Sequence, residues 1–413
     1  MTKRTIVLLA TIGLMGVTGA GAQAATPATT QVNVATGGAP ANAAPSSDIS
    51  VSTSGRYVAF VSTADNLVAG DGNGVSDVFL RDRVAATTER ISVSSAEVEG
   101  NASSAGAVAV SGDGRYVVFE SVATNLAPGT GGASGDILIR DRTAGTTKLV
   151  KSFDGYLADQ PAFAVAVSDD GHFVAFDAFM SGHQTFVVRK NLINGRMKII
   201  NPGHQPEGDD QLVGISADGT RVAITGGYPF AVWLHDFPTA RDIRVDLNDA
   251  QRPGNAPSAG NALSADGRYV LFTSGATNLV NGDTNGKLDA FVHDVALHHT
   301  VRISISNGER QALGGSRGLG LSGHGRYALF LSFAANLVAG DSNGVTDVFV
   351  RDRQSGSTVR CSIPSAGGQA DRGSVGGSLS RDGLWAIFLS PATNLVTGDA
   401  NGAIDLFERG PGC

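Results

Sequence analysis

A glycine-centred motif recurs along almost the whole sequence and constrains the fold more than any other feature. Each copy contains a stretch of small residues, a turn at glycine, an apolar strand and, after a loop, a second strand. The turn glycines are separated by 48 to 59 residues, and they are Gly55, Gly114, Gly171, Gly219, Gly267, Gly325 and Gly383. Seven strand-like units at such a period indicate an array, either a propeller or a solenoid.

The strand signals in each unit decide between these two architectures. A complete unit shows four of them, but the seventh unit stops after its third, at 405–409. An alternating segment at 31–35 near the start of the chain is the spare strand. Pairing it into the last unit closes a ring and removes the open edge. The sequence therefore predicts an all-β fold, a seven-bladed β-propeller of four-stranded antiparallel blades, closed by an N-terminal strand in the last blade.

Two shorter patterns recur at the turns. Asp-Gly pairs such as Asp266-Gly267 stand between apolar runs and predict two-residue hairpin turns. Arg-Asp-Arg triplets at 81–83, 140–142 and 351–353 are expected to be solvated charge pairs at hairpins on the opposite face.

The unit resembles the repeat of the TolB-like, WD-type β-propeller family. That resemblance rests on the Ser-x-Asp-Gly turn and apolar strand at 264–272, the strand ending in Asp at 291–294, and the Thr-x-x-Ile-Ser strand at 300–304. It covers about residues 31–409 and implies the fold. It does not imply TolB's partners, because TolB has six repeats and a further N-terminal domain.

The N-terminal residues and the net charge indicate where the protein resides and which partners it can bind. Residues 1–24 have a charged start, an apolar stretch and a small-residue cleavage site after Ala24, so we expect a signal peptide and a periplasmic or secreted protein. Residues 25–48 are expected to be a linker that contains the strand 31–35, and 49–413 the propeller. The formal net charge is −7 with no basic run, which argues against nucleic acid as a partner. We expect no membrane span after cleavage, and a monomer.

The chain has two cysteines, Cys361 and Cys413. Cys361 occupies the strand position that Ile91 and Ile303 fill in other copies. In an exported chain the two are a disulfide candidate; a buried free thiol with a loose terminal one is the alternative.

A loop motif, Asp-x-Asn-Gly-x-x-Asp, recurs between the second and third strands of four units. Its side-chain oxygens, together with a glycine turn, are the beginning of a Ca²⁺ loop. The same residues also form Asx turns without a metal, and we favour that interpretation. The metal-ligand candidates are Asp71, Asn73, Asp77, Asp283, Asn285, Asp289, Asp341, Asn343, Asp347, Asp399, Asn401 and Asp405. No cofactor is certain, and Ca²⁺ is the one to test.

The third and fourth units are about ten residues shorter than the others and lack this loop. A lower side of the ring would then admit a ligand between these blades. Its rim candidates are His183, His204, Glu207, Asp209, Asp210 and Tyr228. Ordinary divergence in a tolerant array explains the short units equally well.

The predicted function is a non-enzymatic module that binds a protein or a glycan in the cell envelope or outside the cell. The face bearing the long loops is expected to bind the partner. The alternative is a hydrolase or lyase that acts on a carbohydrate or phosphoester at an axial site. The inner strands are small and apolar, as at 374–378, so no catalytic residue is assigned. Convergent carboxylates around the axis would favour the enzyme.

Overall fold

The computed structural model describes residues 28–131, 135–150, 164–180, 184–200, 210–227, 230–399, 401–410 and 413. These residues form 28 β-strands in seven four-stranded antiparallel sheets, each of which is one blade of a ring. The predicted seven-bladed propeller is confirmed. The expected leader, 1–24, lies outside the described residues. Within the described residues, no helix has the length and apolar character needed to span a membrane.

The first three complete blades follow the chain from β2 onward, and each runs from an inner to an outer strand. They comprise β2 (Pro45–Val51), β3 (Tyr57–Ser62), β4 (Asp77–Asp82) and β5 (Thr87–Arg90); β6 (Val108–Val110), β7 (Tyr116–Ser121), β8 (Asp136–Asp141) and β9 (Thr146–Leu149); β10 (Val165–Val167), β11 (Phe173–Met180), β12 (Gln184–Asn191) and β13 (Met197–Ile200).

The remaining four blades repeat this order. They comprise β14 (Gln211–Ile215), β15 (Arg221–Gly226), β16 (Ala231–Asp236) and β17 (Arg241–Arg244); β18 (Ser258–Leu263), β19 (Tyr269–Ser274), β20 (Asp289–Asp294) and β21 (His299–Arg302); β22 (Ser316–Leu321), β23 (Tyr327–Ser332), β24 (Asp347–Asp352) and β25 (Ser357–Arg360); β26 (Gly376–Leu379), β27 (Ala386–Ser390) and β28 (Asp405–Arg409), with β1 (Thr30–Gln31) as the outer strand of blade 7.

Ring closure takes place between β1 and β28. Gln31 lies opposite Phe407, and the Val32 amide donates to the Leu406 carbonyl at 2.7 Å. The strand predicted at 31–35 therefore begins one residue earlier, and its pairing with β28 ends at Val32. The chain then turns toward blade 1 through the Val34–Pro40 bridge, and β2 begins at Pro45, inside the segment that composition assigned to the linker.

The turn between the first two strands of each blade is wider than the predicted two-residue Asp-Gly turn. In blade 2 the Ser111 amide bonds the Tyr116 carbonyl, and Asp113 accepts the Ser111 hydroxyl at 2.7 Å, so four residues separate the paired ends. Of the Asp-Gly pair only Gly114 has a positive φ, 76°. A Cβ there would lie 2.0 Å from Cδ2 of Tyr57 in the preceding blade, so the turn needs glycine for both reasons.

Each core cluster is shared by two neighbouring blades. The cluster around Phe119, for example, joins Ala59, Val78 and Ile91 of blade 1 to Val117 of blade 2. Within blades, cross-strand phenylalanines stack, as Phe60 does on Phe79 at 5.8 Å between ring centroids. Each blade therefore depends on its neighbours to bury its faces.

The Arg-Asp-Arg triplets are largely buried rather than solvated. The first arginine, as in Arg140, is 6% exposed and donates to the Ser94 carbonyl of the preceding connection. The third, as in Arg142, stacks on Tyr57 of the preceding blade at 4.7 Å. The aspartate pairs with the arginine that follows the turn, such as Arg115 with Asp141 at 2.7 Å. The arginines of the triplet pair with glutamates, Arg140 with Glu97 and Arg142 with Glu89. Contact with the neighbouring blade removes these arginines from water, and the local pattern does not reveal that contact.

Candidate functional site

The loops divide between two faces, as the strand order predicts. On one face, which we call the loop face, the connections between second and third strands meet those that lead into the next blade. Arg90, which ends β5, links the two kinds of connection by contacting Asp71 in one and Glu99 in the other. The hairpins of the first two and last two strands lie together on the opposite face, which we call the hairpin face; there Arg56 bonds Asp82.

An arginine occupies the centre of three of the four Asp-x-Asn-Gly-x-x-Asp loops. It comes from the outer strand of the same blade, and its side chain is only 8–11% exposed. In each loop one Nη1 contacts both carboxylates: Arg90 with Asp71 (3.1 Å) and Asp77 (3.7 Å), Arg302 with Asp283 (3.2 Å) and Asp289 (3.5 Å), and Arg360 with Asp341 (2.9 Å) and Asp347 (3.4 Å). We call these the arginine nodes.

The rest of each node fixes the loop geometry. In blade 1, Asn73 donates to Asp77 at 2.8 Å and to the Gly100 carbonyl at 3.1 Å, while its own oxygen accepts the Val75 amide. Asn285 and Asn343 make the same bonds. Burial raises the pKa of Asp71, and the nearby charge of Asp77 raises it further, whereas Arg90 lowers it. The guanidinium of Arg90 therefore balances the negative charge of Asp71 and Asp77, which a bound Ca²⁺ would otherwise balance.

Sequence reasoning missed the nodal arginines, although a signal for them exists. Arg90, Arg302 and Arg360 recur at one position of the outer strand in three of the four blades that carry the loop motif, although blade 4, which lacks the motif, has Arg244 there. The register places each of the first three opposite the phenylalanine of the third strand, Phe79, Phe291 or Phe349. A comparison of the fourth strand with the loop in the same unit would have found the pair.

Blade 7 departs from this arrangement because its outer strand is β1. Gln31 takes the position of the nodal arginine, opposite Phe407, and donates to Asp405 at 2.9 Å. Asn33 and Asn401 donate to the same carboxylate at 2.7 Å and 3.2 Å. Burial, and then the charge of Asp405, raises the pKa of Asp399. Among the described residues, which omit 400 in this loop, no arginine forms an ion pair with either carboxylate.

The axial channel is lined by the inner strands of all seven blades and has a volume of about 340 Å³. Its described lining consists mostly of Val, Ala, Leu, Ile, Gly and Ser, and Asp48 and Arg381 are its ionisable groups. Burial raises the pKa of Asp48. Arg381 forms an ion pair with Asp169 of blade 3, across the hairpin end of the channel.

The hairpins around that end are also joined to one another. Each hairpin bonds the next around the axis, and blade 7 bonds blade 1. The donors and acceptors are Thr53 N to Gly112 O, Gly112 N to Asp169 Oδ1, Asp169 N to Ala217 O, Ala217 N to Ala265 O, Asp266 N to Gly323 O, Gly323 N to Arg381 O and Asp382 N to Thr53 O. The hairpin end is thus rigid, and a ligand would approach from the loop face.

Most of the predicted low side falls on positions that are not described. His183, His204, Glu207, Asp209 and Tyr228 lie outside the described residues. Asp210 is buried, and its amide donates to the Thr185 carbonyl at 3.1 Å, so it does not form an open rim.

An acid that sequence reasoning did not single out lies close to Asp210. Asp177 is 2% exposed, and burial, together with the charge of Asp210, raises its pKa to about 7. Its Oδ1 accepts the Leu212 amide of blade 4 at 2.6 Å. Because that bond joins two blades, Asp177 has a structural task at this position.

The two cysteines are joined in the structure. Cys361 and Cys413 form a disulfide with their Cα atoms 4.9 Å apart. It fastens the end of the chain to blade 6, next to the ring closure, where the Thr29 hydroxyl donates to the Ile363 carbonyl at 2.5 Å.

The comparisons with known proteins support the fold. No protein-family model matches the chain, and no curated protein matches it. An oligogalacturonate lyase in complex with manganese superposes with a TM-score of 0.58 at 11% identity, over 93% of each chain. A second, from Vibrio parahaemolyticus, gives 0.56 at 10% identity, over 93% of this chain and 97% of that one.

Two further solved structures are longer than this chain. One is from a study of two prolyl endopeptidases and gives a TM-score of 0.50 at 11% identity. The match covers 85% of this chain and 47% of that one. TolB from Acinetobacter baumannii gives 0.41 at 14% identity, over 69% of this chain and 59% of its own. The superpositions with TM-scores of 0.50 to 0.58 support a shared propeller architecture, and identities this low show nothing about activity. Among the described residues, no group of three or more His, Cys, Asp or Glu side chains is placed to hold a metal ion.

Proposed function

We propose that the protein is an exported, non-enzymatic propeller that binds a protein or glycan partner on its loop face. The observation that carries this proposal is the lining of the axial channel. Catalysis at a propeller axis needs several convergent acids, bases or metal ligands. The described lining supplies one carboxylate, Asp48, among small and apolar side chains.

The loop face also has the rigidity that a binding surface needs. The arginine nodes hold the long loops of blades 1, 5 and 6 in one conformation, and the ring of hairpin bonds holds the opposite end. A surface that is already ordered loses less conformational entropy when a partner binds. Export is proposed from the leader-like residues 1–24.

Site-specific photo-crosslinking tests this proposal. A photoreactive residue is placed at Phe333 on the loop face, 59% exposed, or at Leu297 on the hairpin face, 67% exposed. We expect one defined partner to be crosslinked from Phe333 and not from Leu297 in cells that express the full chain. Equal labelling from both faces, or none from either, would contradict the proposal.

The alternative function is a lyase or hydrolase that uses the channel. Its support is the architecture shared with two oligogalacturonate lyases, and Asp48 is the carboxylate that would take part. The test is turnover of oligogalacturonate, other acidic oligosaccharides and phosphoesters by the purified protein and by Asp48→Asn. Turnover that Asp48→Asn abolishes would replace the binding proposal with an enzymatic one.

Ca²⁺ is proposed as a ligand of the blade 7 loop, where Asp399 and Asp405 would supply the carboxylate oxygens. Two carboxylates and backbone carbonyls form a weak site, at roughly 10⁻⁴ to 10⁻³ M. In the other three loops a cation would have to displace the nodal arginine. We therefore expect millimolar Ca²⁺ to raise the melting temperature relative to EDTA in the parent protein. The rise should disappear in Asp399→Asn and in Gln31→Arg, which introduces the arginine of the other blades.

Asp341→Asn is the matched control, because its loop already holds Arg360. It should keep the Ca²⁺ response of the parent protein. A response lost in Asp341→Asn and kept in Asp399→Asn would place the cation in the arginine nodes instead. No response in the parent protein would leave the loops as hydrogen-bonded turns.

A further inference from the structure

A groove on the loop face between blades 4 and 5 is more apolar than its surroundings. It has a volume of about 440 Å³, and its walls include Phe230, Pro257 and Leu288, with Arg317 from blade 6 at its edge. Asn261 lines both the groove and the axial channel, so the groove opens beside the channel mouth. We call it the blade 4–5 groove.

The fold fixes the backbone of the two large side chains in this groove through a bond that does not depend on the side chain. The Phe230 carbonyl accepts the Ser258 amide at 3.0 Å, and the Leu288 carbonyl accepts the Ser316 amide at 2.8 Å. Ser76 and Thr346 make the same bond in blades 1 and 6, at 2.8 Å. The position therefore tolerates small polar residues, yet blades 4 and 5 carry Phe and Leu, which are 45% and 55% exposed.

The position of the cation at the groove is occupied by a small residue in another blade. Arg317 lies opposite Leu331 at the start of the inner strand, and the same register position in blade 5 is Ala259, opposite Thr273. Its guanidinium is exposed and donates to the Val375 carbonyl at 3.1 Å. Among the described residues no carboxylate forms an ion pair with it, and no other charged residue lines the groove.

The hydroxyl groups in the walls are already used by the fold. Thr225 Oγ1 accepts the Gly260 amide at 2.8 Å. Thr273 Oγ1 accepts the Gly318 amide at 3.0 Å and donates to Asn261 at 2.6 Å. The amides of Gln211 and Asn261 also line the groove, but a sugar needs more hydrogen-bond partners than these two supply, so the walls suit an apolar side chain better. The guanidinium suits a single carboxylate, which it binds through two parallel N–H groups.

We propose that the blade 4–5 groove binds the C-terminus of a partner protein, with a large apolar last residue between Phe230 and Leu288 and its free carboxylate on Arg317. The volume lies in the range of roughly 300–1,000 Å³ that small ligands occupy, so it takes a chain end rather than a long segment. This inference rests on the proposed function and specifies the partner that the loop face would bind.

The test selects peptides that bind the full chain from two random heptapeptide libraries, one displayed with a free C-terminus and one displayed internally. We expect enrichment from the first library of peptides that end in Phe, Leu, Ile or Met. A selected synthetic peptide should lose roughly tenfold or more in affinity when its C-terminus is amidated, because one charged contact is removed.

Four variants locate the binding. Phe230→Ser, Leu288→Thr and Arg317→Ala each introduce a residue type that the same position carries in another blade, so we expect them to fold. Each should weaken the peptide by roughly tenfold. Phe333→Thr, which alters an exposed aromatic outside the groove, should not. Equal affinity for the amide, full affinity in the three groove variants, or no enrichment would overturn the inference, as would a glycan whose binding is lost in Phe230→Ser.

Failure of this inference is distinguishable from failure of the proposed function. If a partner crosslinks from Phe333 and still binds the three groove variants, the loop face binds a partner elsewhere and the groove inference is wrong. If no partner crosslinks and no peptide is enriched, both are wrong.

Discussion

Asp177 should make the stability of the protein fall between about pH 4 and pH 7. It is almost completely buried between blades 3 and 4, and only one of its oxygens, which accepts the Leu212 amide, has a hydrogen-bond partner within the described residues. Burial, assisted by the charge of Asp210, raises its pKa from 3.8 to about 7. The folded protein therefore holds the acid in its neutral form at pH values where the unfolded chain has ionised it.

The size of the effect follows from this shift. The rise from 3.8 to about 7 is about 3 pKa units, and each unit corresponds to about 1.4 kcal/mol, so the cost of Asp177 at high pH is at most about 4 kcal/mol. A raised pKa of an acid means that the folded state is favoured most below pH 3.8. The stability contributed by Asp177 is lost as the pH rises through about 7.

Asp177→Thr tests this reasoning with a residue that the fold already uses at the same place. Thr225 and Thr273 occupy the equivalent position in blades 4 and 5, and each hydroxyl accepts the amide that corresponds to Leu212. The variant keeps the hydrogen bond and removes the titration. We expect it to be more stable than the parent protein above pH 7 by up to about 4 kcal/mol, and to show no such advantage at pH 4.

The assay is denaturant unfolding of the parent protein and the variant at a series of pH values from 4 to 8. Asp177→Asn is the control, because it removes the charge but keeps the size of the side chain. The difference in the free energy of unfolding should grow with pH for both variants. A difference that is independent of pH would refute the reasoning, and a change seen only in Asp177→Thr would assign the effect to packing.

Two further predictions use residues that other blades carry at the same position. Burial lowers the pKa of His293 from 6.5 to about 4. The contribution of His293 to stability is therefore present above pH 6.5 and falls by about 3 kcal/mol as the pH drops to 4. His293→Arg, which matches Arg81 and Arg351, should abolish that fall in denaturant unfolding. The Cys361–Cys413 disulfide closes a loop with a sequence separation of 52 residues and should contribute about 4 kcal/mol to stability. Cys361→Ile should therefore lower the melting temperature as much as reduction of the parent protein does. An unchanged melting temperature on reduction would contradict this.

The architecture could be predicted from the sequence because it depends on local, repeated features. The glycine of each turn, the apolar second strand and the missing seventh outer strand are all visible in one dimension. They led to the blade count and to the ring closure between residues near 31 and near 407. The start of that strand was wrong by one residue and its end was predicted too late, because its extent depends on pairing with β28 and not on its own alternation.

The details of the sites could not be predicted because they depend on contacts between blades. Arg142 stacks on Tyr57, and the two are 85 residues apart in sequence, so the chain alone suggests a solvated charge. Arg90 is a different case, because the pairing of β4 with β5 places it beside Asp71 within one blade, and its recurrence in other units was a signal that sequence reasoning missed. The motif of the loop was recognised, whereas the group at its centre was not.

The repeat supplies an internal control that separates structural from functional departures. At buried positions where one blade differs from the others, as at Asp177 or His293, another blade has a residue that makes the same contact without a buried titratable acid or imidazole. The residue that differs therefore lowers stability at some pH. Where a blade departs at an exposed position whose backbone the fold already fixes, as at Phe230 and Leu288, the departure costs the fold little and exposes apolar surface to water. Exposed apolar side chains that form one contiguous patch mark binding surfaces, whereas single ones do not. Phe230 and Leu288 line the same groove as Arg317, whose guanidinium has no carboxylate partner among the described residues, and that coincidence makes the loop face over blades 4 to 6 the place to look for the partner.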